Sequence, residues 1–321
     1  MTTKPRQPVA AGRGPEPDSI RAEVLAWLAT PELVALVRDF NGPRPRNGLL
    51  DVNELQAWSS VTWDFRAGRE RNLVDPNSIS GPLAEAVEMA ASALGLRSAA
   101  GPLADHYDAV LMLGGLVRAC VWRPEYASVL LQSRISADAV VALTGFRTLN
   151  EAEQALLPAF DLQGVSEEHE AMRRSLQRFF AVDVMHESVP LDPAIEPNLR
   201  TLVAEGTGDG GQAVQLVVAP SSDPTRRANT ADSYAYWASE VARVRRGQRI
   251  LMVTSPIYVP FQHADAVRML GLPFGCIVET VGIDDSLVDL RGEPQGFVAV
   301  NYLQELNSTI RSLKALIDAL P

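Results

Sequence analysis

Lysine is almost absent from this chain of 321 residues. Lys4 and Lys314 are the only lysines, and every other basic residue in the total of 29 is an arginine. A Schiff base and a phosphate-binding loop of the Walker type both need a lysine in the body of a domain. The sequence therefore excludes both chemistries from the central part of the chain.

Cysteine and metal-ligand patterns are also scarce. The two cysteines, Cys120 and Cys276, each lie in an apolar stretch, which predicts two buried thiols rather than a disulfide or a metal pair. The four histidines are His106, His169, His186 and His263, and they lack the spacing of metal ligands. The chain also has no Cys-x-x-Cys or His-x-x-x-His pair. We therefore expect no metal site.

Long hydrophobic runs are missing as well. No apolar run reaches the roughly 18 residues that a membrane helix needs, and residues 1–17 lack a hydrophobic signal core. A net charge of −10 disfavours general binding to nucleic acid or to anionic membranes. We expect a cytoplasmic protein with no nucleic-acid or membrane partner, although a local basic pocket is compatible with this charge. The oligomeric state stays open.

The composition is that of a globular protein, with 46% hydrophobic and 21% charged residues. We interpret residues 1–17 as a flexible tail and residues 18–104 as a helical N-terminal region. Apolar residues at helical spacing predict helices over residues 18–40, with a break at Pro31, and over 51–67 and 81–96.

From residue 105 to 321 the pattern becomes one of short apolar runs separated by amphipathic helices. The predicted strands are Tyr107–Leu113, Ala137–Leu143, Ala213–Ala219, Arg249–Thr254 and Cys276–Val281. The predicted helices are 116–132, 166–180, 195–205, 230–246, 259–270 and 300–320, the second and third in an insertion near 150–211. This alternation predicts an α/β protein, a three-layer Rossmann-like fold with a mostly parallel sheet.

Small and cationic residues come directly after the predicted strands. Ligands bind at the carboxyl ends of strands in open parallel sheets. Glycines allow close backbone approach there, and arginine forks match carboxylate or phosphate oxygens. We therefore expect a site for an anionic small molecule, built from Gly114, Gly115, Arg118, Thr144, Gly145, Arg147, Ser221, Arg226, Arg227, Thr254 and Ser255. The alternative is that the glycines only make turns and the arginines are solvated.

The segment Asn229-Thr230 has two interpretations. In the first interpretation, its polar side chains cap the start of a helix, with Asp232 or Ser233 in the first turn as the reciprocal partner. The free backbone amides at that helix start would then bind an anion. A cap without a ligand explains the same residues. Thr254 and Ser255, likewise, either bind a ligand or simply end a strand before Pro256.

Candidates for proton transfer are few. Tyr258 and His263 come after the fourth predicted strand, and an interior helix face accounts for them equally well. Glu279 is either a partner for a ribose or amine or a structural carboxylate. The chain has no Gly-x-Ser-x-Gly elbow, and Gly114-Gly115 lacks the full dinucleotide fingerprint, so no motif supports a serine hydrolase or a dehydrogenase.

Four short motifs occur in a familiar order. Leu113-Gly114-Gly115, Thr144-Gly145, Asn229-Thr230 and Val253-Thr254-Ser255 together resemble the YdcF, SanA and ElyC family of bacterial proteins over residues 105–285. The resemblance implies a Rossmann-like fold with a site at the strand ends, and S-adenosylmethionine as the ligand of one member. The chain departs from the family after Ser255 and in its longer stretch 150–211.

These observations lead to a functional expectation. We expect the chain to bind a nucleotide-like or S-adenosylmethionine-like anionic metabolite and to act on it as a transferase or hydrolase. The alternative is a sensor or scaffold that binds the same class of metabolite without catalysis. An enzyme needs a titratable group in the pocket, and Tyr258 and His263 are the candidates.

Overall fold

The computed structural model describes residues 7–12, 14–65, 75, 78–97, 100–289 and 296–321. Seven strands form one sheet in the order β3-β4-β5-β2-β1-β6-β7. The strands are β1 His106–Leu113, β2 Ser136–Thr144, β3 His186–Val189, β4 Leu202–Thr207, β5 Ala213–Val218, β6 Arg249–Thr254 and β7 Ile277–Gly282. The fold is therefore α/β, as the sequence predicts.

Eleven α-helices are assigned within the described residues. Four precede the sheet: α1 Pro17–Leu28, α2 Pro31–Asp39, α3 Val52–Thr62 and α4 Pro82–Ala93. The others are α5 Val117–Ser133, α6 Glu151–Gln154, α7 Glu168–Phe179, α8 Thr230–Tyr236, α9 Val259–Ala266, α10 Leu272–Phe274 and α11 Ala299–Asp318. None of the helices within this part of the chain is long and apolar enough to cross a membrane.

Five neighbouring strands of the sheet are parallel. β1 lies between β2 and β6, with Met112 opposite Ala142 on one side and Val253 on the other. β5 and β7 continue the parallel arrangement outward, whereas β4 and β3 add antiparallel strands beyond β5. The mostly parallel sheet of the prediction is confirmed.

Helices cover both faces of the sheet. Alternate residues of β1 belong to different cores, because successive side chains of a strand point to opposite faces. Leu111 belongs to the cluster that contains residues of α8, α9 and α11, and Val110 belongs to the cluster that contains residues of α5 and α7. The chain runs outward from β1 through β2 to β5 along one face and returns to β6 along the other. This doubly wound path places the carboxyl ends of the parallel strands at one edge.

The N-terminal helices share a core with the sheet. Trp27 and Trp63 are fully buried in the same cluster as Leu306 of α11 and Leu111 of β1. A buried hydrogen bond from the Ser59 hydroxyl to Asn307 Oδ1, 3.0 Å long, joins α3 to α11. The helical region thus forms part of the layer on one face of the sheet.

Residues 7–12 differ from the expected flexible tail. Val9 is buried, and the Ala10 amide donates to the Glu23 carboxylate at 2.8 Å. The Gly12 amide donates to the Val278 carbonyl at 3.2 Å, on the outer edge of β7. An apolar side chain and an edge carbonyl that needs a donor explain why this segment packs.

Two predicted helices differ in the structure. The prediction of a helix over 195–205 is wrong, because these residues form a short 3₁₀ turn, Pro197–Leu199, and then β4. Pairing of Val203 with Val217 of β5 outweighs local preference there. The predicted helix 230–246 ends early: α8 passes into a π-helical turn at Trp237–Val241, and Arg243 adopts a left-handed φ of 50°.

Candidate functional site

A polar cleft of about 760 Å³ lies at the carboxyl ends of β1, β2 and β5. It brings together nine residues predicted to bind a ligand: Gly114, Gly115, Thr144, Gly145, Arg147, Arg226, Arg227, Asn229 and Thr230. Its lining also includes polar residues that the sequence analysis did not single out: Glu167, Glu168, Asn198 and Arg200. The cleft therefore combines strand ends, the start of α8 and the inserted segment.

Arg147 and Glu168 line the cleft at what we call the closed end, and they form an ion cluster with Glu153, which lies behind the lining. Arg147 Nη1 lies 2.7 Å from Glu153 Oε2, and its Nε lies 2.9 Å from Glu168 Oε2. A further Arg147 nitrogen donates to the Gly115 carbonyl at 2.7 Å. Both carboxylates are buried. Because all three guanidinium nitrogens of Arg147 donate to oxygen atoms of the protein, this arginine is not available to a ligand.

Local structure fixes both carboxylates of the closed end. Asn150 and Glu153 form a capping box at the start of α6, and Glu168 is the first residue of α7. The Thr144 hydroxyl donates to Glu168 Oε1 at 3.0 Å. A Cβ atom on Gly114 would lie 2.0 Å from the same oxygen. Only a glycine at this position therefore allows the end of β1 to lie so close to the Glu168 carboxylate.

Glu153 also occupies the start of α5. The Val117 amide, in the first turn of α5, donates to Glu153 Oε1 at 2.9 Å. The helix after the first strand commonly receives a phosphate in dinucleotide-binding folds, because its free amides carry partial positive charge. Here a carboxylate of the chain already takes that position.

Burial and charge act against each other on these acids. Burial raises the pKa of Glu168 even though Arg147 and Thr144 favour its ionised form. Burial also acts to raise the pKa of Glu153, but hydrogen bonds from Arg147 and from backbone amides outweigh it and lower that pKa. The hydrogen bond to Glu153 raises the pKa of Arg147. One guanidinium thus serves two acids and leaves no surplus positive charge there.

Arg226 is likewise committed to an acid. Its Nη1 lies 2.5 Å from Asp232 Oδ2, and Asp232 also accepts from the Asn229 amide at 2.8 Å. Burial acts to raise the pKa of Asp232, but hydrogen bonds from Arg226 and Ser222 hold it well below the usual range. Asn229 Oδ1 accepts from the Asp232 amide at 3.1 Å, so the start of α8 is capped by its own side chains.

Arg200 and Arg227 form what we call the open end. Neither has a carboxylate within ion-pair distance among the described residues. Arg200 donates to the carbonyls of Ile195 and Pro193 at 2.8 and 2.9 Å, which braces the loop before β4. Asn198 donates from its amide to the Pro224 carbonyl at 2.8 Å, and this bond joins that loop to the segment that carries Arg227.

Four predicted binding residues do not line this cleft. Arg118 borders a separate hollow of about 230 Å³ beside α6, and Ser255 borders another of about 330 Å³ beside Tyr302. Ser221 is buried and accepts a hydrogen bond from the Asp223 amide at 3.2 Å. Thr254 is completely buried at the end of β6.

The two predicted catalytic residues also lie elsewhere. Tyr258 packs against the rings of Phe261 and Phe297, with centroids 5.9 and 6.1 Å away. His263 is buried on α9, where its Nδ1 lies 3.0 Å from the Thr280 hydroxyl, and burial lowers its pKa to about 4. Tyr258 directly precedes α9, which carries His263 and packs on β7, and neither residue lines the cleft.

Glu279 has a structural environment. Its carboxylate accepts a hydrogen bond of 2.5 Å from the Tyr107 hydroxyl and one of 2.6 Å from the Leu103 amide. Burial raises its pKa. In the part of the chain that the structure describes, no group of three or more His, Cys, Asp or Glu side chains is arranged to hold a metal ion.

Comparison with known proteins gives mycobacterial relatives. A family model described as the Rv3785 N-terminal domain matches residues 11–95. The chain is similar to uncharacterized protein Mb3814 of Mycobacterium bovis and uncharacterized protein Rv3785 of Mycobacterium tuberculosis. Each is 29% identical over 349 aligned positions, covering 99% of this chain and 96% of the relative. No solved structure gives a significant match.

The matches cover both parts of the fold. The N-terminal family model spans α1 to α4 and stops before the sheet, whereas the mycobacterial relatives align with the sheet and its cleft as well. None of the relatives named above carries a YdcF, SanA or ElyC name, so that resemblance stays a prediction.

Proposed function

We propose that the chain binds an anionic small metabolite in the cleft at the carboxyl ends of β1, β2 and β5. The observation that carries the proposal is the lining itself, which contains four arginines beside three glycines at the strand ends. Its volume of about 760 Å³ lies within the usual range of ligand pockets. Nucleotide-like and S-adenosylmethionine-like molecules are the ligand classes to test first.

The three glycines that line the cleft support the same proposal. Gly145 has no atom within 4 Å of the position that a Cβ would take, so the space above it is open. Its backbone lies next to the β2 end and borders the cleft together with Gly114 and Gly115. A ligand placed there reaches main-chain atoms as well as guanidinium groups, which suits recognition of a compact polar molecule.

The test blocks the cleft without touching any arginine. Gly145→Leu places a side chain in the open space. Gly296→Leu is the matched control, because no atom of the described residues lies within 4 Å of its Cβ position and Gly296 is outside the cleft lining. Mass spectrometry of small molecules retained by the purified proteins should find one anionic metabolite with the wild type and G296L, and none with G145L. Equal retention by all three proteins would contradict the proposal.

A transferase or hydrolase reaction is a second candidate. Proton transfer needs a titratable group at the ligand, and Glu168 is a buried carboxylate that lines the cleft. Once the retained metabolite is identified, Glu168→Gln should abolish its turnover while keeping its binding. Retention of the metabolite with no turnover by the wild type would favour a sensor.

A further inference from the structure

The two ends of the cleft differ in charge, and this difference indicates what kind of anion binds and where. At the closed end, Arg147 faces Glu153 and Glu168. At the open end, no carboxylate oxygen among the described residues lies within 4.0 Å of a guanidinium nitrogen of Arg200 or Arg227, although Glu167 also lines the cleft. The surplus positive charge of the lining therefore lies on the side of β5 and the inserted loop.

We propose that the open end binds the phosphate of a phosphate monoester, with Arg200 and Arg227 as its ligands. This inference rests on the proposed function and names the substrate class of the same cleft. Two unpaired guanidinium groups match the charge of a phosphate monoester, which carries about −1.5 to −2 near neutral pH. Guanidinium forks also match phosphate oxygens in two-point contacts.

The geometry of Arg200 supports a binding role in addition to a structural one. Its bonds to Ile195 and Pro193 use Nε and one hydrogen of Nη2. A guanidinium has five N–H donors, so three remain for a ligand. The two carbonyl contacts fix the plane of the group, which reduces the entropy lost when an anion binds.

The polar neighbours complete the same end. Asn198 and Thr230 line the cleft beside the two arginines. Asn198 ties the inserted loop to the β5–α8 segment through its bond to Pro224, so the two arginines are carried by connected loops. At the start of α5, by contrast, Glu153 would repel a phosphate, and the uncharged part of the ligand belongs at the closed end.

Two probes of the same shape test the charge requirement. Methyl phosphate is mainly a dianion at pH 7.5, since the second pKa of a phosphate monoester is about 6, whereas methyl sulfate stays a monoanion. By isothermal titration calorimetry on the full chain, methyl phosphate should bind at least about tenfold more tightly than methyl sulfate at pH 7.5. That preference should disappear at pH 5.

Variants locate the probe. Arg227→Ala and Arg200→Gln should each weaken methyl phosphate binding by about tenfold, the loss expected for a charge-assisted hydrogen bond. Arg245→Ala is the control, because Arg245 is exposed and outside the cleft lining. Circular dichroism and the melting temperature verify that each variant is folded, and R227A removes no ion pair within the described structure.

The outcomes separate this inference from the proposed function. If methyl sulfate binds as tightly as methyl phosphate, or if R227A binds like wild type while G145L does not bind, the cleft is an anion site and the phosphate assignment is overturned. If neither probe binds and no anionic metabolite is retained by the wild type, the proposed function fails, and this inference fails with it.

Discussion

The two halves of the sheet end differently at the carboxyl edge. β1, β2 and β5 end under an open cleft, whereas β6 ends at the buried Thr254 and continues into residues that pack on β7. The difference lies in the residues that come directly after each strand. Gly145 leaves open space above the sheet after β2, whereas Tyr258, which comes after β6, packs against Phe261 and Phe297. The cleft therefore lies beside β1 and β2, the strands that a glycine follows directly, and an aromatic cluster lies after β6.

A similar contrast exists inside the cleft. At the closed end an arginine is satisfied by the protein, and at the open end two arginines keep capacity for a ligand. Removing a charged group from the first should cost folding stability, and removing one from the second should cost binding. Substitutions at each end test this division, from the largest expected effect to the smallest.

Loss of Arg147 should have the largest effect on stability. Arg147→Met leaves Glu153 and Glu168 buried without their cation, which costs about 3–5 kcal/mol of unfolding free energy. Urea denaturation followed by circular dichroism measures this. Arg178→Met is the control, since its pair with Asp161 is exposed and such pairs contribute about 1 kcal/mol or less. Equal losses in both variants would show that the closed end is not a stabilising cluster.

The stability of the fold should depend on pH through His263, which is buried on α9. Burial depresses its pKa from 6.5 to about 4, so the neutral form is favoured in the folded state. The corresponding stability is fully present above pH 6.5 and is lost as the pH falls through 4, because the unfolded chain takes up the proton first. The shift corresponds to about 3 kcal/mol.

Variants isolate this pH dependence. The fall in unfolding free energy between pH 6.5 and pH 4 should be clearly smaller in His263→Asn than in the wild type. His186→Asn is the control, because His186 is exposed on the edge strand β3, and it should keep the wild-type slope. A wild-type slope in H263N would mean that this histidine is not held neutral by burial.

Two glycines of the same cleft should differ in their tolerance of a methyl group. Gly114→Ala places its Cβ 2.0 Å from Glu168 Oε1 and should cost about 1–3 kcal/mol of unfolding free energy by overpacking. Gly145→Ala meets nothing within 4 Å and should leave stability nearly unchanged. Thermal and urea unfolding of the two variants provide the comparison, and similar values would mean that the Glu168 carboxylate moves aside easily.

The sequence predicts the sheet well and the cleft only in part. Gly114, Thr144 and Arg147 are brought together because parallel strands end at one edge, which a strand assignment alone implies. Glu153 and Glu168 are not predicted from the sequence, because they lie on helices of the inserted segment. The placement of these helices depends on packing against α5 and β2. The capping box of Asn150 and Glu153 is the available local signal for Glu153, and such boxes serve folding in most helices.

The inserted segment shows the same limit for strands. Arg200 lies just before β4, a strand that exists through its pairing with β5 across the turn at Gly211 and is not distinguished by local pattern from a helix. Tyr258 and His263 come after a parallel strand, as site residues should, yet Tyr258 belongs to the hydrophobic core and His263 is buried on α9. Periodicity indicates which residues share a face, and tertiary packing decides what that face meets.

The smallest and most specific test compares two adjacent arginines. Arg226→Ala removes the partner of Asp232 and should lower the melting temperature, whereas Arg227→Ala removes no ion pair within the described residues and should leave it unchanged. For methyl phosphate binding the order reverses, because Arg227 is the residue with capacity for a ligand. This crossed result, read from calorimetry and thermal unfolding of the same two proteins, cannot arise from a general loss of positive charge. If both variants lose affinity equally and melt alike, the division between structural and ligand-binding arginines in this cleft is wrong.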